Sequence, residues 1–294
     1  EIPHLFAYSQ LLLSINGHEG RYGTCNTPAK FWAAWREEDI SDAEMYALKN
    51  KKLSASQKNS LFSYRPVDDL KWYENLISGG DLAVTGQDQL LISLLKPERL
   101  LEIVRLYTLF DKKAGKIVAR YQQIFGIKRL IERISTKNSK GGREGGVIWH
   151  TTGSGKSFTM VFLSKAMILH EALKQCRILV VTDRVDLEDQ LSKTFVSGGE
   201  LAGKRDKLNA MATSGKRLAE QIGKGTERIM FSLIQKFNSA TKLPECVNTS
   251  SDFIVLIDEG HRSQGGENHV RMKLALPNAA FVAFTGTPLL KDEK

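Results

Sequence analysis

The chain has 294 residues, 41% of them hydrophobic and 8% aromatic, which is the composition of a folded globular protein with room for one large or two ordinary domains. No apolar run approaches the roughly 18 residues a spanning helix needs, so a membrane protein is not expected. The net charge of +9 favours an acidic partner, with nucleic acid first among the candidates. Cys25, Cys176 and Cys246 are odd in number and far apart, which fits reduced thiols in a cytoplasmic protein better than a zinc site or disulfides. The start at Glu1-Ile2-Pro3, without a leader or an initiator Met, is that expected of a fragment or a processed chain.

From the N-terminus, Leu11-Leu12-Leu13-Ser14-Ile15 reads as a strand, Asn16-Gly17 as a turn and Tyr22-Gly23-Thr24 as the returning strand. Phe31, Trp32 and Trp35 fall at helical spacing and are expected in a core. The lysine-rich stretch 40–80 shows few periodic apolar positions. Between Gln87 and Phe110 the spacing of Leu90, Leu91, Leu94, Leu95, Leu100, Leu101, Val104, Leu106 and Leu109 predicts two helices, the second opening at Pro97. A further helix is expected over 120–134, with Tyr121, Ile124, Ile127 and Ile131 inward. Ser135 to Gly146 is rich in Gly, Ser and Lys and reads as a flexible loop.

Beyond that loop the pattern changes. Short apolar runs at Gly146–Trp149, Ile178–Val181, Ile229–Leu233, Ile254–Ile257 and Ala280–Phe284 alternate with helical stretches, as in a parallel sheet covered on both faces. The fold class expected is α/β with a doubly wound sheet. Phe158, Val161, Phe162, Leu169 and Leu173 mark one side of the helix after the first strand, and 197–224 reads as an exposed helix with loops.

Three segments carry chemistry. Val147-Ile148-Trp149 runs into His150-Thr151-Thr152-Gly153-Ser154-Gly155-Lys156-Ser157 and then a helix, a P-loop whose first Gly is replaced by His150. Backbone N–H groups of Thr152, Gly153, Ser154 and Gly155 would wrap the phosphates of ATP; Lys156 would sit between the β- and γ-phosphates and Ser157 would hold Mg²⁺. Ile254-Val255-Leu256-Ile257 ends in Asp258 and Glu259, the first placed to bind Mg²⁺ through water and the second to polarise the attacking water as general base. Hydroxyls of Thr285 and Thr287 in Phe284-Thr285-Gly286-Thr287-Pro288 would sense the γ-phosphate.

In order, these segments resemble superfamily 2 helicases and translocases, which have RecA-like lobes. In wording they resemble the R (motor and restriction) subunit of type I restriction-modification enzymes. The carriers are Trp149 to Ser157, with His150; Asp258-Glu259-Gly260-His261-Arg262-Ser263-Gln264, where Ala is usual at Gly260; Val181-Thr182-Asp183-Arg184-Val185-Asp186-Leu187; and Phe231-Ser232-Leu233-Ile234-Gln235-Lys236-Phe237. The resemblance implies an adenine-reading Gln in Arg120-Tyr121-Gln122-Gln123, where Gln123 fits the spacing better. It implies coupling roles for His261 and Arg262, and DNA contacts at Arg184 and Lys236. Leu5-Phe6, Ser14 to Gly17, Tyr22 to Thr24 and Phe31 to Trp35 resemble the end of that family's nuclease domain.

The organisation implied is a short β-containing nuclease remnant at 1–38, a mostly helical connector at 39–115 and the first RecA-like motor lobe at 116–294. Implied partners are ATP with Mg²⁺, double-stranded DNA, and modification and specificity subunits. The family's nuclease site is expected upstream of Glu1; Asp111-Lys112-Lys113 has a similar spacing but is expected beside helical sequence and is read as chance. The second lobe, with its arginine finger, is expected beyond Lys294. The alternatives are another superfamily 2 translocase, in remodelling or repair, and a fragment that only binds nucleotide or DNA.

Overall fold

The computed structural model describes residues 3–6, 8–25, 27–111, 115–149, 155–197, 204–258 and 266–286. The chain divides into two compact units, residues 1–104 and 105–294.

In the first unit β1 (Leu12–Ile15) and β2 (Gly20–Gly23) form the expected antiparallel hairpin, with Leu12 opposite Gly23 and Ile15 opposite Gly20. Asn16 shapes the turn, its side-chain oxygen accepting from the amides of His18 and Glu19, with Gly17 at φ +94°. Phe31, Trp32 and Trp35 do not share a helical face. A short 3-10 turn ends at Phe31, Ala33 bridges back to Tyr22, and of the three aromatic rings Trp35 alone is buried. The stretch of weak periodicity holds α1 (Asp42–Lys49), α2 (Ala55–Phe62) and α3 (Val67–Ser78). Side-chain caps start the first two, from Ser41 onto the Glu44 amide and from Ser54 onto the Gln57 amide. The two predicted leucine-rich helices follow as α4 (Gly86–Leu94) and α5 (Pro97–Leu106).

The helical reading fails at its last positions. Thr108–Asp111 is a strand, β3, paired antiparallel with β4 (Gly115–Val118), and Gly115 turns the chain at φ +74°. Tyr107, Thr108 and Leu109 are all buried and Phe110 is exposed, so it is the pairing with β4, and not an alternation of burial, that marks the strand. Asp111 therefore ends a hairpin strand and does not lie beside helical sequence; Lys112 and Lys113 lie outside the described residues.

After α6 (Tyr121–Ser135) come β5 (Gly146–Trp149), α7 (Lys156–Leu169), β6 (Arg177–Thr182), α8 (Val185–Ser197), α9 (Lys204–Ala210) and α10 (Gly215–Lys224). Next are β7 (Ile229–Leu233), α11 (Phe237–Ala240), β8 (Phe253–Asp258), α12 (Glu267–Ala275) and β9 (Ala280–Thr285). All five strands pair in parallel, in the order β5-β9-β8-β6-β7. Both faces are covered. Leu179, Val181, Val255 and Ile257 pack with Leu218, Ala219 and Ile222 of α10, Phe237 and Ala240 of α11, and Met272 and Ala275 of α12. On the other face Phe195 of α8 meets Phe231 of β7 edge-on at 5.2 Å between centroids.

Two loop readings change. In 197–224, α10 is no exposed helix: Leu218, Ala219 and Ile222 are fully buried. Within the Gly-rich loop 135–146, Arg143 is buried and bonded on every side. Its Nε donates to the Ser251 carbonyl (3.0 Å), and one terminal nitrogen donates to the carbonyls of Ile134 (2.9 Å) and Ser135 (3.0 Å). The other nitrogen lies 3.1 Å from Asp252 Oδ1 and 3.4 Å from the Ala172 carbonyl. Composition signals flexibility here because it counts glycines and cannot see partners more than a hundred residues away.

Candidate functional site

Parallel strands deliver their C-terminal ends to one edge of the sheet, where α/β folds place ligands. β5 ends at Trp149, and His150, Thr151, Thr152, Gly153 and Ser154 lie outside the described residues. Gly155 follows at φ +90°, a left-handed conformation that favours glycine, and caps the start of α7. Lys156 and Ser157 thus occupy the first turn of a 14-residue helix, where the outward-facing amides and the helix dipole favour an anion.

Strand register brings the distant segments together. Trp149 lies opposite Thr285, and Phe284 opposite Asp258, so the ends of β5, β9 and β8 line up side by side. Two strand spacings are about 10 Å, and the Lys156 side chain closes the gap: its Nζ lies 2.8 Å from Asp258 Oδ1, with the Asp258 side chain only 5% exposed. The Trp149 indole N–H donates to the Gly286 carbonyl at 2.9 Å, tying β5 to the turn after β9. Thr285 is buried at the tip of β9. Glu259, Gly260, His261, Arg262 and Thr287 lie outside the described residues.

This set of groups fits a nucleotide with a hard cation. An ammonium beside a helix N-terminus suits phosphate oxygens, while a serine hydroxyl and a buried carboxylate are the oxygen donors that Mg²⁺ takes, one or two from protein and the rest from phosphate and water. The Lys156–Asp258 pair also means that each charge has a partner before either meets a ligand, so a bound phosphate must take over the ammonium.

Gln123, in the first turn of α6, is brought to the same place. Its Oε1 accepts from the Arg120 amide at 2.8 Å, and its Nε2 donates to Thr159 Oγ1 at 2.7 Å and to the Gly155 carbonyl at 3.4 Å. Sequence reasoning had no place for Thr159. Its signal was a hydroxyl three residues after Lys156 within the otherwise apolar run Phe158 to Leu163.

Arg184 and Lys236 lie further along the same edge, past the ends of β6 and β7, which are joined by Gln235 Nε2 donating to the Asp183 carbonyl at 2.8 Å. Arg184 is exposed and grips Asp186 with two nitrogens at 3.1 and 2.8 Å. Lys236 differs: its ammonium sits 3.1 Å from the buried carboxylate of Glu188, in a pair shielded on both sides. Away from the edge, the buried thiols of Cys176 and Cys246 are pushed upward by burial, Cys246 to about 11 with Glu245 adding to the effect.

The profile of the SWI2/SNF2 ATPase family matches residues 122–294. Over the whole chain, the sequence is 31% identical to the type I restriction enzyme HindI endonuclease subunit of Haemophilus influenzae, of which it covers 26%. It is 30% identical over 98% of its length to the MjaIXP protein of Methanocaldococcus jannaschii, named as a type I restriction enzyme endonuclease subunit, and again covers 26% of that protein. The chain therefore spans about a quarter of the length of these curated relatives. Among solved structures, the SWI2/SNF2 ATPase core of Sulfolobus solfataricus in complex with dsDNA aligns over 63% of the chain and 34% of its own, at 15% identity and a TM-score of 0.43. The Hef helicase domain of Pyrococcus furiosus aligns over 59% and 33%, at 17% identity and the same TM-score. The profile match over residues 122–294, more than half of the chain, within which Lys156 meets the strand-end carboxylate of Asp258 on a five-stranded parallel sheet, makes this chain a member of the SWI2/SNF2 ATPase family.

Proposed function

We propose that residues 116–294 are the first motor lobe of a type I restriction endonuclease subunit, binding ATP with Mg²⁺ and hydrolysing it to drive double-stranded DNA past the enzyme. Residues 1–38 are then the end of the nuclease domain and 39–115 the connector. The observation that carries the reading is the 2.8 Å approach of Lys156 to Asp258, which brings together two segments about a hundred residues apart and so supports one shared site for phosphate and cation. Similarity over the whole chain to named endonuclease subunits supports the choice of this machine over other DNA translocases.

In this mechanism the backbone amides of 152–155 and the first turn of α7 cradle the phosphates, and Lys156 leaves Asp258 to neutralise charge building on the γ-phosphate oxygens. Ser157 and Asp258 would hold magnesium, Asp258 through water, and the ion would supply charge neutralisation at the phosphate oxygens. Glu259 orients the attacking water and takes its proton. Thr285 and Thr287 register loss of the γ-phosphate, and His261 and Arg262 carry that change to a facing lobe. Arg184 contacts the DNA backbone without reading sequence. Lys236, held by Glu188, contributes by shaping the β7 tip and reaches phosphate only by leaving that pair. Sequence recognition belongs to modification and specificity subunits.

The test is titration of the purified chain with a fluorescent ATP analogue in the presence of Mg²⁺. Lys156→Ala should weaken binding by about tenfold or more, since a charge-assisted phosphate contact is lost. Equal affinity in the two proteins would remove the site from consideration.

A further inference from the structure

The partners of Gln123 fix which way its amide faces. The backbone N–H of Arg120 can only donate, so the atom 2.8 Å from it is Oε1. The Gly155 carbonyl can only accept, so the atom turned to it at 3.4 Å is Nε2. Between them stands the Thr159 hydroxyl, 2.7 Å from Nε2 and 3.2 Å from the same carbonyl. Its proton goes to Gly155, which leaves a lone pair for the amide. Thr159 is 1% exposed, so water does not replace it.

Among the described residues, an amide held in this way keeps one Oε1 lone pair in reserve, and one Nε2 hydrogen that is engaged only at the long 3.4 Å contact. An acceptor beside a donor complements the N6–H and N7 edge of adenine, whereas guanine offers two acceptors there. Rotating the amide would set Nε2 against the Arg120 N–H, donor to donor. We propose that Thr159 is a positioning residue for base preference: it holds the Gln123 amide in the orientation that accepts adenine, and through Gly155 it links that amide to the end of the phosphate loop. The inference rests on the nucleotide site proposed above, which it deepens.

The experiment measures dissociation constants for ATP and GTP, each with Mg²⁺, on the whole chain carrying Thr159→Val, which keeps the side-chain shape and removes the hydroxyl. The native chain should favour ATP. In Thr159→Val that preference should fall about fivefold, the effect of losing one hydrogen bond, and Thr159→Ser should restore it. A merely structural role would weaken both nucleotides alike and leave their ratio unchanged, which overturns the proposal while leaving the site itself intact. No binding of either nucleotide to the native chain would overturn the site as well. Independently of any variant's folding, 7-deaza-ATP should bind the native chain more weakly than ATP. Equal binding would also overturn the proposal.

Discussion

Polar contacts from three parts of the second unit converge on the Arg143 guanidinium: the end of α6 at Ile134 and Ser135, the turn after α7 at Ala172, and the approach to β8 at Ser251 and Asp252. Removing the side chain strands these acceptors together, and the cost of a broken buried ionic network is about 3 kcal/mol. Arg143→Met should lower the urea midpoint accordingly, and a shift below about 0.5 kcal/mol would show that water takes over the carbonyls. This residue was illegible in the sequence because nothing near it advertises its partners, which lie at 134, 172 and 251. Lys156 and Asp258 were legible for the opposite reason. Their neighbours spell the phosphate loop and the acidic strand end locally, and only the 2.8 Å contact had to come from the fold. Thr159 falls between the two cases: a hydroxyl amid apolar residues is visible as an oddity, but its link to Gln123 spans 36 positions.

At the scale of elements, the five strands of the parallel sheet were readable almost to the residue, because strands buried on both faces are written as unbroken apolar runs. Every residue of β8 is buried. The β3–β4 hairpin was not readable, since Leu106 and Leu109 continue the helical spacing of α5 and only the antiparallel pairing of Thr108–Asp111 with Gly115–Val118 shows the switch. One position in the sheet makes a sharp demand. Gly145, just before β5, lies so close to the Phe281 backbone of β9 that a Cβ would overlap its carbonyl carbon and amide nitrogen. Gly145→Ala must push β5 away from β9, its one neighbour in the sheet among the described residues. Nucleotide affinity should drop with the melting temperature, as overpacking by about 1–3 kcal/mol would produce. A variant with native melting and native binding would mean that the strand end gives way freely.

Taken whole, the molecule is lopsided in charge: residues 105–294 hold 31 basic and 19 acidic side chains, while residues 1–104 hold 11 and 14. The excess that pointed to nucleic acid therefore belongs entirely to the ATPase unit. Binding of a random-sequence duplex should weaken by about tenfold or more between about 50 and 200 mM salt. Arg184→Glu should weaken it further and Lys71→Glu, in the first unit, should not; affinity indifferent to salt would argue against a phosphate-tracking surface. The strand order has a separate consequence for synthesis. β5 leaves the ribosome well before β9, the one strand it pairs with among the described residues, Gly146 opposite Val282, 136 positions later. At ordinary elongation rates β5 waits roughly 7 to 27 s for its neighbour. Throughout that interval Val147 and Trp149 ride on an unpaired strand edge, the kind of surface that recruits other chains. The strand that opens the proposed nucleotide site is thus the last to be secured, and a nascent chain cannot assemble that site until nearly the whole unit has emerged.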